Sequence, residues 1–232
     1  MNTAESSYKK VVQAYNERNP TSINSNGTHP LHSTWVLWSH PPASVSNNWD
    51  INSYVKHCTV STVEDFWNVF NGMKSLVNPD MWFFMRKDIP PIWEHDINKQ
   101  GGRYKFKIHG DKVDNVFLNL CVHLVTEHIC ISSSDSIFIS GVSVSPKQKE
   151  QSTVSIWDID SSVNDSKKFA SNINGIDFVT GLYDDHASSK SRSERPRYGG
   201  GYSNSNGRGG KGGRSNGRGG GGRRSGRGGY RY

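Results

Sequence analysis

The chain is poor in the features that would make it secreted, membrane-spanning or metal-dependent. Only three cysteines occur among 232 residues, Cys58, Cys121 and Cys130, and they form no CxxC pair and no Cys/His cluster at metal-ligand spacing. An odd, unpaired set predicts reduced thiols in an intracellular protein rather than a disulfide framework. No apolar run approaches the ~18–20 residues that cross a bilayer, so no membrane association is expected, and the N-terminus MNTAESSYKK has no signal-peptide core. The cytoplasm is the expected location, with the nucleus left open by a basic tail. A Glu-rich helix is missing too, which argues against a Mg²⁺-dependent hydrolase acting on RNA ends. The nine histidines have neither a triad partner nor metal spacing, so each is expected to be structural or at the surface. No enzyme, cofactor or metal site is predicted.

Positive charge is also scarce where a basic binding fold would need it. The chain is +7 overall, but residues 190–232 carry +11 and the remainder −4. The basicity belongs to the tail, and any anion site on the body must be local.

Length allows one domain with a sizeable core plus extensions. Residues 1–28 read as a flexible N-terminal extension, with one weak helical pattern at Tyr8, Val11, Val12 and Tyr15 before an Asn/Ser/Thr/Gly run. Residues 29–187 read as the folded domain. Strands are predicted at Ser33 to Ser39, Ser53 to Val60, Met81 to Arg86 and Arg103 to His109, the last alternating strictly between Tyr104, Phe106, Ile108 and Arg103, Lys105, Lys107. Further strands are expected near Ser136 to Val144, Thr153 to Ile159 and Gly175 to Tyr183. A helix follows Ser61, where Ser61 and Glu64 suggest a capping box and Val63, Phe66, Trp67, Phe70 and Met73 a hydrophobic stripe. Two more helices are predicted, Val113 to Glu127 and Ser161 to Ile173. The pattern is α+β: a mainly antiparallel sheet with helices on one face and the other face open to a ligand.

Residues 188–232 are different in kind. Sixteen of the 24 glycines follow Tyr198, and nine arginines fall in the last 38 residues, interleaved with Ser, Asn and Tyr. With nothing aliphatic to bury, such a segment cannot offset its ordering entropy, so disorder is expected. Arg-Gly repeats with tyrosine bind RNA by phosphate attraction and stacking, with little sequence preference; an acidic partner or an inert spacer are the other readings.

Tryptophan carries the most specific signal. Of seven, Trp49 follows Ser46-Asn47-Asn48 and Trp93 follows Pro90-Pro91-Ile92, both in loop-like sequence with no apolar period around them. Either both cap the ends of a core, or they form a stacking site for a flat, electron-poor ring such as a cationic purine, with Glu94 accepting N–H bonds from a guanine edge. Trp35, Trp38, Trp82 and Phe106 are expected in the core.

In order, His29-Pro30-Leu31, Trp35, Trp38, Trp49, the run Thr62 to Trp67 (TVEDFW), Pro91-Ile92-Trp93-Glu94 and Gly101-Gly102-Arg103 make residues 29–187 resemble the translation initiation factor 4E family of messenger-RNA cap-binding proteins. The resemblance implies about eight curved antiparallel strands with three helices on the convex face. It makes Trp49 and Trp93 the indoles that sandwich 7-methylguanine, Glu94 the acceptor for guanine N1 and N2, and Trp157 the ring near the methyl group. Arg103 matches the family's phosphate-site arginine. The family's Arg-x-Lys is replaced by Ser145-Pro146-Lys147-Gln148-Lys149, so Lys147 and Lys149 are the implied substitutes, either as a looser clamp or as a solvated loop. The resemblance also implies a partner surface, formed by His29, Pro30, Leu31, Val63, Trp67 and Leu118, for a scaffold or regulatory protein bearing a Tyr-x-x-x-x-Leu-apolar helix. Asn119 stands where an acidic residue is usual, and a structural role for Trp67 competes. The implied function is cap binding and scaffold recruitment in translation initiation, by a monomer within a heteromeric complex. A cap-binding repressor or message-storage factor is the alternative, and a generic Arg-Gly RNA-binding protein would leave the paired loop tryptophans unexplained.

Overall fold

The computed structural model describes residues 27–73, 80–146, 151–170 and 173–188. The pattern at Tyr8 to Tyr15, the loop lysines Lys147 and Lys149, and the Arg/Gly-rich tail after Ser188 lie outside the described residues. Within them, seven strands form one antiparallel sheet: β1 Pro30–His40, β2 Val55–Thr62, β3 Met81–Arg86, β4 Gly102–Ile108, β5 Ile139–Ser145, β6 Ser152–Asp158 and β7 Leu182–Asp185. Their order across the sheet is β2-β1-β3-β5-β6-β4-β7. This is the curved antiparallel α+β architecture expected, with seven strands in place of about eight.

Strand period explains the two faces. Alternate residues point to opposite sides, so in the aligned strands Leu37, Phe84, Val142, Ile156 and Tyr104 face one way. They join the main core, which the helices α1 Val63–Gly72 and α2 Val113–Val125 cover. Helix α2 turns Val113, Val116, Phe117, Leu120, Cys121 and Leu124 inward, an i, i+3, i+4, i+7 stripe in which every member is buried. Each such side chain contributes roughly 1.5–3 kcal/mol by leaving water. The three thiols are free, and burial pushes each above its ordinary pKa, Cys130 to about 11.

Three predicted details shift. The capping box is one residue along: Thr62 Oγ1 accepts from the Asp65 amide and Asp65 Oδ2 from the Thr62 amide, both at 3.0 Å. Glu64 instead accepts from His29. The described residues of the segment predicted as a helix from Ser161 to Ile173 form no α-helix. Asp160 and Asp165 each bond the amide two residues on, winding separate single 3-10 turns at Ser161–Val163 and Ser166–Lys168, the local competition that short polar side chains offer to a helix. Phe169 then enters the core and bridges Cys130. The third α-helix is instead the four-residue α3, Ser133–Ser136. The last strand begins at Leu182 rather than Gly175, because Gly175 has φ 88° and Asp177 caps another 3-10 turn at Phe178–Thr180.

The Gly101-Gly102 pair has a packing reason. A Cβ on Gly101 would lie 1.9 Å from the Asp158 carbonyl oxygen, and one on Gly102 2.4 Å from Tyr183 Oη. Asp158 itself is fully buried. Its Oδ1 accepts from the Gly102 amide at 3.1 Å and from Tyr183 Oη at 3.0 Å, while Oδ2 has no hydrogen-bond partner among the described residues. Burial raises its pKa to about 6, opposed first by Lys168 and then by hydrogen bonding from Tyr183 and from the Gly102 and Asp160 amides. A carboxyl whose folded pKa is raised contributes most stability below its unfolded value near 3.9 and loses that contribution as pH rises through 6. Asp158→Asn keeps the acceptor and removes the buried charge. It should therefore be more stable than the parent at pH 7.5 by about 1–3 kcal/mol, with the difference vanishing near pH 4. Urea melts of both proteins at the two pH values check this; a variant less stable at pH 7.5 would mean the ionised carboxylate is needed.

Candidate functional site

The face of the sheet away from the helices carries a second, smaller cluster. Phe83, Met85 and Trp157 are buried there, with Trp38, Tyr54, Met81 and Trp93 packed partly against them. Of the four aromatic residues expected in the core, Trp35 and Phe106 are buried in the main core, while Trp38 and Trp82 are only partly buried, Trp38 against this smaller cluster and Trp82 against the main core. Trp38 lies on the open face under Lys56, 5.9 Å from its ring, and Trp82 is half-buried beside His57 at the margin of the main core.

Two loops rim this face. The first, residues 41–54, is anchored by His40 at the buried end of β1, whose Nε2 donates to the Asn48 carbonyl at 2.7 Å and lies 3.1 Å from Ser53 Oγ. Pinning Asn48 lays the next residue, Trp49, flat on the imidazole, with centroids 4.4 Å apart and planes 11° from parallel. One indole face is covered and the other is left to stack. Asp50 caps the 3-10 turn Ile51–Ser53. The second loop, residues 87–101, folds around buried Asn98, whose Nδ2 donates to the Pro90 and Ile92 carbonyls, both at 2.9 Å. It holds Trp93 against the open-face cluster and leaves Glu94 exposed, with no ion pair or hydrogen bond among the described residues.

A continuous path of ring contacts connects the two indoles across the face. From Trp49 it runs through His40 to Tyr54 (4.5 Å), Phe83 (5.5 Å), Trp157 (6.3 Å), His186 (5.1 Å) and Trp93 (6.5 Å). Burial and then the Glu94 carboxylate push the Tyr54 phenol above its usual range, with Arg103 opposing. Glu94, Tyr54 and Arg103 therefore share one electrostatic neighbourhood. The Arg103 guanidinium sits 5.6 Å over Trp157 and 3.3 Å from Asp184. Beside Trp93 a cavity of about 260 Å³ is lined by Glu94, Lys99, His186 and Ala187, smaller than the ~300 Å³ at which pockets for drug-sized ligands begin. Trp93, Glu94, Arg103 and Trp157 are thus brought together; Trp49 joins them through the ring path rather than by lining the cavity.

His186, His40 and Tyr54 were not singled out from sequence. His186 is buried, and its Nδ1–H donates to the Asn98 carbonyl at 2.8 Å. Its Nε2 has no hydrogen-bond partner among the described residues. Burial lowers its pKa, so the ring that borders the cavity is neutral and offers an acceptor. Neither spacing nor periodicity marked these histidines.

On the helix side, the His29–Leu31 segment is tied to the start of α1. The Val63 amide donates to the His29 carbonyl at 2.9 Å, and His29 meets Glu64 at 2.8 Å. Val63 and Trp67 are 38% and 42% exposed, Trp67 standing edge-on to Phe66. Leu31 and Leu118 are half-buried at the margin of the main core. An indole that exposed is not a core residue. Among the described residues no group of three His, Cys, Asp or Glu could hold a metal ion, and no helix is long and apolar enough to cross a membrane.

The model of the family described as eukaryotic initiation factor 4E matches residues 30–194. Among curated relatives, eukaryotic translation initiation factor 4E-1 of Oryza sativa subsp. japonica is 32% identical over 143 residues, covering 60% of this chain and 60% of that protein. The factor 4E of Dictyostelium discoideum is 33% identical over 135 residues, covering 56% of this chain and 52% of that one. The chain thus spans between 52% and 60% of the length of these relatives. Among solved structures, C. elegans eIF4E-3 in complex with the 4E-binding protein Mextli and a cap analog superposes with a TM-score of 0.58 at 26% identity, covering 73% of this chain and 98% of that one. Ascaris suum eIF4E-3 with an m2,2,7G cap gives 0.51 at 27% identity, covering 58% of this chain and 75% of the other.

Proposed function

Since the chain belongs to the eukaryotic initiation factor 4E family, we propose that it binds the 7-methylguanosine cap of messenger RNA between Trp49 and Trp93 and joins capped messages to a helix-bearing partner in translation initiation, in the cytoplasm. The observation that carries this reading is the ring path from Trp49 to Trp93 over the open face, with Glu94 unengaged beside one end. Methylation at N7 makes the purine cationic, and two electron-rich indole faces favour a cation over neutral guanine. Glu94 accepts from N1–H and N2–H, and Arg103, already held over Trp157, meets the phosphates, with Lys147 and Lys149 completing the clamp. The chemistry is binding without turnover. Complexes of nematode relatives with cap ligands support the same ligand class. The Arg/Gly-rich residues 188–232 add sequence-independent affinity for the RNA body.

The test is retention on 7-methyl-GTP resin. Elution by free 7-methyl-GTP at concentrations where GTP is ineffective is expected, and equal elution by both would dispose of methyl-cap recognition.

The proposed partner surface comprises the exposed His29, Val63 and Trp67 with the half-buried Pro30, Leu31 and Leu118, and the nematode relative bound to a 4E-binding protein supports a protein partner. Exposed tryptophans at interfaces are common hot spots, costing about 2 kcal/mol or more on truncation. Trp67→Ala should weaken binding of a peptide carrying the Tyr-x-x-x-x-Leu-apolar motif about thirtyfold while leaving 7-methyl-GTP affinity intact. Calorimetry with both ligands decides; loss of cap affinity with peptide binding kept would mean the two faces are reversed.

A further inference from the structure

Strand β4 has a second property that the cap reading does not use. Tyr104, Phe106 and Ile108 are buried in the main core, so the strand period sets Arg103, Lys105 and Lys107 in a row on the open face, at intervals of about 6.8 Å. Opposite them on β6 stand Trp157, Ser155 and Thr153, and beyond, on β5, Gly141, Ser143 and Ser145. From Trp157 onward the open face therefore carries a row of cations beside small or hydroxyl-bearing residues. The cations are held in place. Asp184 of β7 takes Arg103 at 3.3 Å and Lys105 at 3.0 Å, and Lys107 Nζ donates to Thr153 Oγ1 at 2.8 Å. Among the described residues one carboxylate, Asp184, ion-pairs with two of these three cations and none pairs with Lys107, so the row is locally positive on a body, residues 1–189, whose net charge is −4.

We propose that this row is a track for the phosphate backbone of the first few nucleotides of an RNA whose 5′ end occupies the cavity at Trp93, a proposal that rests on the cap reading for the location of that end. Two observations commit it to RNA. The row begins at the cavity, because Arg103 overlies Trp157, which contacts His186 on the cavity wall. Its length also suits a nucleotide chain: Arg103 to Lys107 spans about 14 Å, the axial rise of about four stacked nucleotides at ~3.4 Å each. A mononucleotide held at Trp93 reaches only the Arg103 end. Lys105 and Lys107 are therefore silent toward 7-methyl-GTP and engaged by a capped oligonucleotide.

The experiment compares the full chain with its K105Q/K107Q variant against three probes over a salt series: 7-methyl-GTP, a capped tetranucleotide, and the same tetranucleotide with an uncapped 5′ triphosphate. Both proteins carry the same tail, so its contribution cancels. The variant should bind 7-methyl-GTP within twofold of the parent. On both tetranucleotides its log-log salt slope should be shallower by about 1.4, at ~0.7 per phosphate contact on a single strand. Thermal midpoints within two or three degrees establish that both are folded. Unchanged slopes and affinities on both tetranucleotides would overturn the track and leave Lys105 and Lys107 as partners of Asp184 and Thr153 alone. If the parent does not hold 7-methyl-GTP, the cap reading falls, and the track is still decided by the slope on the uncapped tetranucleotide.

Discussion

Trp49→Ala and Trp93→Ala should each lower affinity for 7-methyl-GTP by roughly ten- to hundredfold, because each indole supplies one stacking face and a stacked base is worth on the order of 1–3 kcal/mol. The two substitutions should nonetheless differ in their effect on folding. Trp49 spends one face on His40 and packs on nothing in the open-face cluster, so its removal costs stacking and little else. Trp93 packs against the open-face cluster formed by Phe83, Met85 and Trp157, so Trp93→Ala should also lower the thermal midpoint. Trp93→Leu separates the two effects: it keeps apolar volume beside the cluster while deleting the π face, and should recover the midpoint without recovering affinity. Fluorescence titration with 7-methyl-GTP, paired with a thermal melt of each variant, measures both. Parent-like affinity in either alanine variant would remove the sandwich, and recovery of affinity by Trp93→Leu would mean the ring acts only as packing.

The residues of that site were legible from sequence to unequal degrees. Trp49 and Trp93 stand out because a large ring in polar, proline-rich surroundings has no periodic reason to be buried, Glu94 because a carboxylate adjoins one of them, and the family resemblance supplies Arg103 and Trp157. What sequence could not show was how the loops are fixed. His40 falls at the end of a strand and His186 just after one, and each acts through a loop carbonyl, that of Asn48 eight residues away for the first and that of Asn98 88 residues away for the second. Contacts that span 88 residues leave no periodic trace, and a histidine without spacing partners looks like any surface histidine.

The fold divides along the same line. Strands and helices whose faces differ sharply were legible within two or three residues: β4 alternates over its whole length, and α2 repeats its apolar positions on the helical period. The misread segments are those where side chains bond their own backbone. Ser161 to Ile173 contains apolar residues at tolerable spacing, but Asp160 and Asp165 cap tight turns within it. The capping box slipped by one because Ser61 and Thr62 both qualify; Thr62 prevails, and Ser61 adds two further donors, its amide and its hydroxyl, to the same Asp65 carboxylate. Glu64, freed from capping, ties down His29 and so orders one margin of the proposed partner surface.

Glu127→Ala should destabilise the fold by about 3–5 kcal/mol. Glu127 follows α2 with φ 55°, a left-handed backbone that is unfavourable for a residue with a Cβ. That conformation turns its carboxylate onto Arg86, with Oε1 accepting from Nη1 at 2.9 Å and Oε2 from Nη2 at 2.7 Å. Both side chains are more than nine-tenths buried. The guanidinium also donates from Nε to the Ile139 carbonyl at 2.8 Å and from Nη2 to the Ser136 carbonyl at 3.0 Å, and it lies 4.6 Å over Trp35. Arg86 thereby fastens β3, α3 and the start of β5 to the end of α2. Removing Glu127 alone strands a buried cation, which costs about 3–5 kcal/mol. Removing both charges in an Arg86→Met, Glu127→Met double variant strands no ion, but orphans the Ser136 and Ile139 carbonyls at about 1–3 kcal/mol each. The double variant should therefore cost less than the sum of the two single variants. Urea denaturation of the parent, both singles and the double supplies the cycle, with 7-methyl-GTP affinity measured at a temperature where all remain folded. Affinity should not move, since the network lies on the face opposite the rings. A Glu127→Ala cost below about 1 kcal/mol, or strictly additive singles, would mean the ion pair is solvated and that packing alone joins these elements.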